Sequence, residues 1–294
     1  MAMTIMKETA PFVDSAPLLD QPAALRARAG EEGYLFFRGL LPPELLVSLR
    51  KEVLELCATH GWLDESKPRM SGIAASGLCL IEGSTPEWKV FYRGVLRLRS
   101  FHALAAEPAL LGMYGKVFEE EAIPHSRNIC RVLFPSTSEF TTPPHQDHLY
   151  IGGTTNTWTC WMPLGDCPSE LGGLAVIPGS HRWGFMKSQP GKGAGGQRVL
   201  VPEDAVWHSS PFQCGDILTF HSLTVHQGKD NQTEDRLRLS VDYRYQPVSE
   251  PIRRDSMEPH MGGFGLTWDD IYKDWPAQDP MKYYWQARRL NYVE

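Results

Sequence analysis

A mainly β protein, a sandwich or barrel of short strands flanked by helices, is the fold class this sequence predicts, and two observations predict it. From Asn128 onward, short apolar or alternating runs follow one another between clusters of Gly, Pro, Asn and Asp: "NICRVLF", "LYIGG", "TWTCWMPL", "GGLAVIP", "DILTF" and "RLRLSVDYRYQ". That is the pattern of strands joined by turns. No stretch of crossover-helix length separates these runs, which argues against a doubly wound parallel sheet.

The 294 residues, 42% of them hydrophobic, suffice for a sizeable core. A single domain is expected over 1–294, with a helix-rich N-terminal part to about 125, a β core over about 126–247 and a helical tail over about 262–294. In the N-terminal part, Pro22 to Glu32 reads as a helix, and "GYLFFRG", bounded by Gly33 and Gly39, as a strand. "PPELLVSLRKEVLELCATHG" opens on Pro42 and Pro43, places Leu46, Leu49, Val53 and Leu56 at three- and four-residue steps, and stops at Gly61. These are the start, stripe and stop of a scaffold helix. Two more helical patterns lie between Trp88 and Glu119 and part near Pro108. Between Met186 and Arg198, "KSQPGKGAGG" is too rich in Gly for a regular element; it is either a loop over a site or a surface connection. The tail, with Trp268, Tyr272, Trp275, Tyr283, Tyr284 and Trp285, is expected to form two helices that lay their aromatic faces on the body.

Charge and composition narrow the function. A net charge of −6 and a pI near 5.9 give no footing for a phosphate backbone, so nucleic acid is not an expected partner. "MAMTIMKETAPFVDS" meets Lys7 and Glu8 before any apolar run, unlike a signal peptide, and no segment approaches the length of a membrane span. Six cysteines without a C-x-x-C pair read as reduced, mostly structural thiols. A cytoplasmic protein acting on a small molecule is expected.

The chemistry starts in "PPHQDHLYIGG", Pro143 to Gly153. In a strand, His145 and Asp147 project to one face while Gln146 and His148 point to the other. Imidazole beside carboxylate suits a first-row divalent metal, and a second histidine completes a facial triad that leaves positions open on iron(II). "GDILTFHSLTVHQG" offers His221 and His226, between which strand alternation does not choose.

The order of these pieces is His-X-Asp, then "WMPLGDCPSELGGLAVIPGSHRWG", then "GDILTFHSLTVHQGKDNQTEDRLRLSVDYRY". In that order the sequence resembles the phytanoyl-CoA dioxygenase family of iron(II)- and 2-oxoglutarate-dependent oxygenases, from about Gly33 to Pro247. It is similar in particular to bacterial natural-product hydroxylases. The resemblance implies a double-stranded β-helix, the cupin-like jelly-roll, with helices against one outer face. It implies metal ligation by His145, Asp147 and His226, the distal histidine being the one followed by a turn, Asn231 and an arginine-bearing strand. Arg238 and Arg236 share strand parity; the family pattern, two residues before a small residue matched by Ser240, selects Arg238 for the far carboxylate of 2-oxoglutarate. Trp161 matches an aromatic that walls the same pocket. Gln146 and Tyr150 flank the ligands as candidates either for supporting them from behind or for the cavity wall, and Arg131 either holds an acidic group there or forms a scaffold salt bridge. Trp207 and the glycine-rich loop are further candidates for the substrate cavity, while His181 and His221 read as structural.

The implied activity is hydroxylation of an unactivated C–H bond of a small organic substrate, using O2 and releasing succinate and CO2, with desaturation, epimerisation or ring rearrangement as alternatives that begin with the same hydrogen abstraction. The carboxylate of Asp147 favours hydroxylation over halogenation, because related halogenases carry a small residue there. Competing readings are a jelly-roll metal-binding or sensory protein without turnover, and a cupin-type isomerase or lyase. Neither needs Arg238.

Overall fold

The computed structural model describes residues 9–83, 85–135 and 141–294. Residues 1–8, where the expectation about a leader segment begins, lie outside them. The strands of the body are β1 (Thr9–Ala10), β2 (Tyr34–Phe37), β3 (Ala122–Pro124), β4 (Ile129–Leu133), β5 (Trp158–Pro163) and β6 (Leu174–Val176). They continue with β7 (Gln189–Pro190), β8 (Gln197–Arg198), β9 (Trp207–His208), β10 (Ile217–His221), β11 (His226–Gly228) and β12 (Arg238–Pro247). One sheet runs β2-β10-β5-β12-β3, with β4 also paired to β12; the facing sheet runs β1-β9-β6-β11. This is the jelly-roll.

Alternation along the strands builds two separate layers. On β12, Leu239, Val241, Tyr243 and Tyr245 face one way, into the large core shared with the helices. Arg238, Ser240, Asp242 and Arg244 face the other way, between the sheets. β5 divides likewise: Trp158, Cys160 and Met162 join the helical core, whereas Trp161 joins a smaller cluster between the sheets with Phe36, Leu174, Val176, Leu218 and Phe220. The tyrosine hydroxyls of β12 fasten the layers, donating to Phe101 O and Ala105 O, each at 2.8 Å.

The outer layer consists of α1 (Pro22–Glu32), α2 (Pro43–Thr59), α3 (Pro86–Arg97), α4 (Arg99–Ala103) and α5 (Pro108–Phe118). α2 buries Leu46, Leu49, Val53, Leu54 and Cys57. At roughly 1.5–3 kcal/mol for each large aliphatic side chain, this face holds the helix more than its propensity does.

Three local expectations are corrected. "LYIGG" is not a strand: His148–Ile151 is one helical turn, α6, closed by Gly152 at φ 62°. The tail is not a pair of helices but one short helix, α7 (Trp268–Tyr272), capped by Thr267, followed by a 3-10 turn over Tyr284–Ala287. Its aromatics nonetheless pack together, Trp268 against Tyr272 and Trp285. The glycine-rich stretch is pinned by the β7–β8 pairing. Among the described residues, no helix is long and apolar enough to cross a membrane.

Candidate active site

The site forms where the two sheets open. β11 begins at His226, and His145 is bridged to it by two backbone hydrogen bonds, His145 N to His226 O at 3.0 Å and the reverse at 3.1 Å. The His-X-Asp segment therefore is not a continuous strand. Only His145 pairs; the chain then turns at Asp147, whose carbonyl accepts from Tyr150 N and Ile151 N to start α6. The two side chains converge through that turn rather than through alternation.

Candidate ligand atoms of His145, Asp147 and His226 all lie within 4.8 Å of one another, and all three residues are buried. Asp147 Oδ1 is 3.3 Å from His145 Nε2 and 3.6 Å from His226 Nε2. His145 Nδ1 sits 2.8 Å from Pro143 O, and His226 Nδ1 sits 3.0 Å from Thr224 O. A carbonyl only accepts, so each Nδ1 carries a proton and each Nε2 is the ring atom turned to the site. Burial, then the neighbouring His226, pushes the His145 imidazole below its ordinary range. Burial alone would raise the Asp147 carboxyl, but the Arg244 guanidinium and the two histidines override it and hold the group well below the carboxylate range. A neutral imidazole and an ionised carboxylate are the forms a metal binds. Asp147 Oδ2 is turned away from the histidines, accepting from Thr159 Oγ1 and lying 3.4 Å from Arg244 Nη2.

Beside the triad lies a cavity of about 240 Å³. Arg238, Trp161 and Arg131 line it, as do Asp242, Arg244 and Glu82. Arg238 is buried; its Nη1 donates to Gly172 O at 3.1 Å, its Nε has no partner, and its guanidinium lies 5.7 Å over the Trp161 ring. Gly172 itself takes φ 77°, and a Cβ there would stand 2.4 Å from Lys229 O, so only glycine brings this carbonyl to Arg238. Arg236 is exposed outside β12.

Gln146 does not line the cavity. Its amide donates to Gly184 O and Leu223 O and accepts from Met186 N, each at 2.8 Å, which spends it on scaffold. Trp207 belongs to a separate cluster with Ala175, Ile177 and Val225. Tyr150 donates to Gly195 O at 3.1 Å, and Gly193 to Gly195 line the cavity, so the glycine-rich loop does sit over it. At Gly193, φ is 107° and a Cβ would lie 2.1 Å from Thr141 O, a close approach that excludes other residues. Arg131 forms ion pairs with Glu82 at 2.7 Å and Asp242 at 2.9 Å while remaining on the cavity wall. His221 packs against Trp158 and His181, away from the triad, and burial pushes its imidazole down to about 4.

Thr159, Asp242, Arg244 and Glu82 escaped the sequence reading. Strand parity with Trp161 and Arg238 was the available signal for the first three. Glu82 sits in an aperiodic segment and carries none.

The residues present fit a metal and a keto diacid on two observations. Both Nε2 atoms converge on Asp147 Oδ1 while both Nδ1 atoms are committed to backbone carbonyls, and Arg238 keeps a buried donor without a partner. A jelly-roll that gathers two histidines and a carboxylate beside a cavity carrying a buried guanidinium defines an iron(II)- and 2-oxoglutarate-dependent dioxygenase. The chain belongs to the phytanoyl-CoA dioxygenase (PhyH) family, whose model matches residues 30–239. It is 30% identical over 283 residues to the 1-deoxypentalenic acid 11-beta-hydroxylase of Streptomyces arenae, covering 90% of this chain and 92% of that one. The enzyme of the same name from Streptomyces exfoliatus is 28% identical over 281 residues, with the same coverage. Among solved structures, the epimerase SnoN in complex with Fe3+, alpha ketoglutarate and nogalamycin RO shares the fold, with TM-score 0.55 and 20% identity over 88% of this chain and 91% of that one. The apoform of EctD from S. alaskensis gives TM-score 0.51 and 19% identity over 83% and 84%.

Proposed function

We propose that this protein hydroxylates an unactivated C–H bond of a small organic molecule, with residues 1–294 acting as one oxygenase domain. His145, Asp147 and His226 would hold iron(II), and Arg238 would take the far carboxylate of 2-oxoglutarate, with Trp161 beside it. Iron(II) with 2-oxoglutarate and O2 supplies the oxidation: one oxygen atom enters the substrate C–H bond, the other enters succinate, and CO2 leaves.

The chain's own contribution is placement. The Nδ1 contacts of the histidines fix their tautomers, Thr159 and Arg244 turn Asp147 Oδ1 toward them, and Phe220 packs its ring 4.1 Å from that of His226. Leu80, Val132, Leu133 and Leu174 make part of the cavity wall apolar, which suits a mostly hydrocarbon skeleton. The Streptomyces relatives, named for hydroxylating 1-deoxypentalenic acid, support that substrate class.

The observation that carries the reading is the partnerless Nε of buried Arg238 in the triad's own cavity. A metal-binding protein without turnover has no use for it. Titrating 2-oxoglutarate into anaerobic iron(II) protein should produce a visible charge-transfer band, and an acceptable substrate should stimulate succinate release. Arg238→Ala should weaken 2-oxoglutarate binding by about 2–4 kcal/mol, roughly thirty- to a thousand-fold, while exposed Arg236→Ala leaves it within twofold. Absence of the band in the wild-type protein would refute the proposal.

A further inference from the structure

Metal ligation and the seat at Arg238 leave one polar cluster of the cavity wall unexplained. Arg131 stands on β4 opposite Ser240 of β12 and lies between two carboxylates. Its Nε donates to Asp242 at 2.9 Å and its Nη1 to Glu82 at 2.7 Å. Asp242, with a side chain only 7% exposed, is enough to neutralise the guanidinium. Glu82 is a second, surplus carboxylate brought in from outside the sheet, and all three residues line the cavity.

Two atoms of this cluster are uncommitted. Among the described residues, Glu82 Oε1 and Arg131 Nη2 have no hydrogen-bond partner, and the two side chains are 19% and 24% exposed. Leu80 and Leu133, two positions along the chain from Glu82 and Arg131, line the same cavity. An acceptor and a donor therefore stand side by side in an otherwise apolar stretch of wall.

Charge decides what kind of group they suit. Three carboxylates, Glu82, Asp147 and Asp242, and three guanidiniums, Arg131, Arg238 and Arg244, line the cavity among the described residues. A divalent metal and the doubly negative 2-oxoglutarate would cancel each other. The loaded cavity is balanced, so a charged group on the substrate would be buried without a counter-charge. An uncharged group that donates to a carboxylate and accepts from a guanidinium fits, and a hydroxyl does both.

We infer that Glu82 and Arg131 form a recognition subsite for the prime substrate, a neutral alcohol on a mainly hydrocarbon skeleton whose hydroxyl donates to Glu82 and accepts from Arg131. This rests on the reading of the cavity as the site of a 2-oxoglutarate-dependent hydroxylase. The substrate arrives already carrying one hydroxyl; the reaction inserts one atom of O2 into a C–H bond of the alcohol to give a diol, and the other atom leaves in succinate as CO2 is released.

The test uses the full chain loaded with Co(II), which binds without turning over, and 2-oxoglutarate, and follows binding by calorimetry. The probes share one skeleton: 1-adamantanol, its methyl ether, 1-adamantanecarboxylate and 1-adamantylammonium. Wild type should bind the alcohol about ten- to a hundredfold more tightly than the ether, which accepts but does not donate, and more tightly than either ion. In Glu82→Gln the amide carbonyl can satisfy Arg131 Nη1, which leaves a donor where the substrate hydroxyl needs an acceptor. The alcohol's advantage over the ether should shrink to within threefold, the carboxylate should bind more tightly than it does to wild type, and Co(II) and 2-oxoglutarate affinities should stay within threefold. Arg131→Lys, which keeps the charge between the carboxylates but loses Nη2, should weaken alcohol and ether alike. An alcohol that wild type binds no more tightly than its ether, an ion as the tightest probe, or an advantage that survives Glu82→Gln overturns the proposal. If 2-oxoglutarate affinity falls in step with the alcohol's in Glu82→Gln, Glu82 is only a clasp on the cavity wall and the proposal is overturned as well. The wild-type ranking carries the test should that variant fail to fold. Wild-type protein that does not bind 2-oxoglutarate overturns this inference and the proposed function together, whereas a wrong probe ranking overturns this one alone.

Discussion

Asp147 and His148 are neighbours in sequence with opposite duties, and that contrast is the sharpest test at the scale of single residues. Asp147 places Oδ1 between two imidazoles, while His148 packs edge-on to Phe185. Asp147→Ala should abolish turnover and weaken metal binding by at least about a hundredfold, whereas His148→Ala should retain both; equilibrium dialysis with Co(II) and a succinate assay check it. A second expectation concerns acid. His102 donates to Leu96 O at 2.8 Å, His125 Nε2 lies 2.9 Å from Gln246 Oε1, and burial pushes both imidazoles from 6.5 down to about 4. The unfolded chain takes up these protons near pH 6.5 and the folded chain only near pH 4. Their contribution is therefore intact above pH 6.5 and is lost as pH falls toward 4, by up to about 3 kcal/mol each. Urea denaturation at pH 7.5 and 5.0 should show the loss, and His102→Asn should reduce the difference. At this scale the sequence was legible where residue type and spacing coincide, as in the triad. It was not legible for Gln146, whose adjacency to two ligands suggested the cavity although its amide closes backbone groups on the other side.

Elements with a sustained period were readable, and short ones were not. α2 shows its stripe over 17 residues, and its start and end match the prolines and glycine that bound it. α6 has four residues, too few for a helical period to differ from a strand, and the turn at Asp147 that starts it is a tertiary consequence of the site. The tail failed for a related reason: aromatic residues predict burial well but say little about whether a helix or a series of 3-10 turns delivers them. Packing on α2 gives the test. Leu49 is 1% exposed and Val47 is 42% exposed. Leu49→Ala should cost about 2–5 kcal/mol in denaturant unfolding and Val47→Ala less than about 0.5 kcal/mol.

For the molecule as a whole, binding and folding are linked, because the site's ligands come from chain segments that meet only in the native state. Metal and 2-oxoglutarate at about a hundred times their dissociation constants should each add about 2.7 kcal/mol, a rise in Tm of several degrees. Differential scanning fluorimetry should show the metal increment disappear in Asp147→Ala and the cosubstrate increment disappear in Arg238→Ala. β12 gives this linkage a further consequence. The strand presents four apolar side chains to the helices and its charges to the cavity, so a slip of one residue would thrust guanidiniums into oil and turn tyrosines toward the metal. Quality control is thereby built into assembly: a mispaired chain forfeits its stability along with its chemistry, which leaves little room for a well-folded population that is catalytically dead.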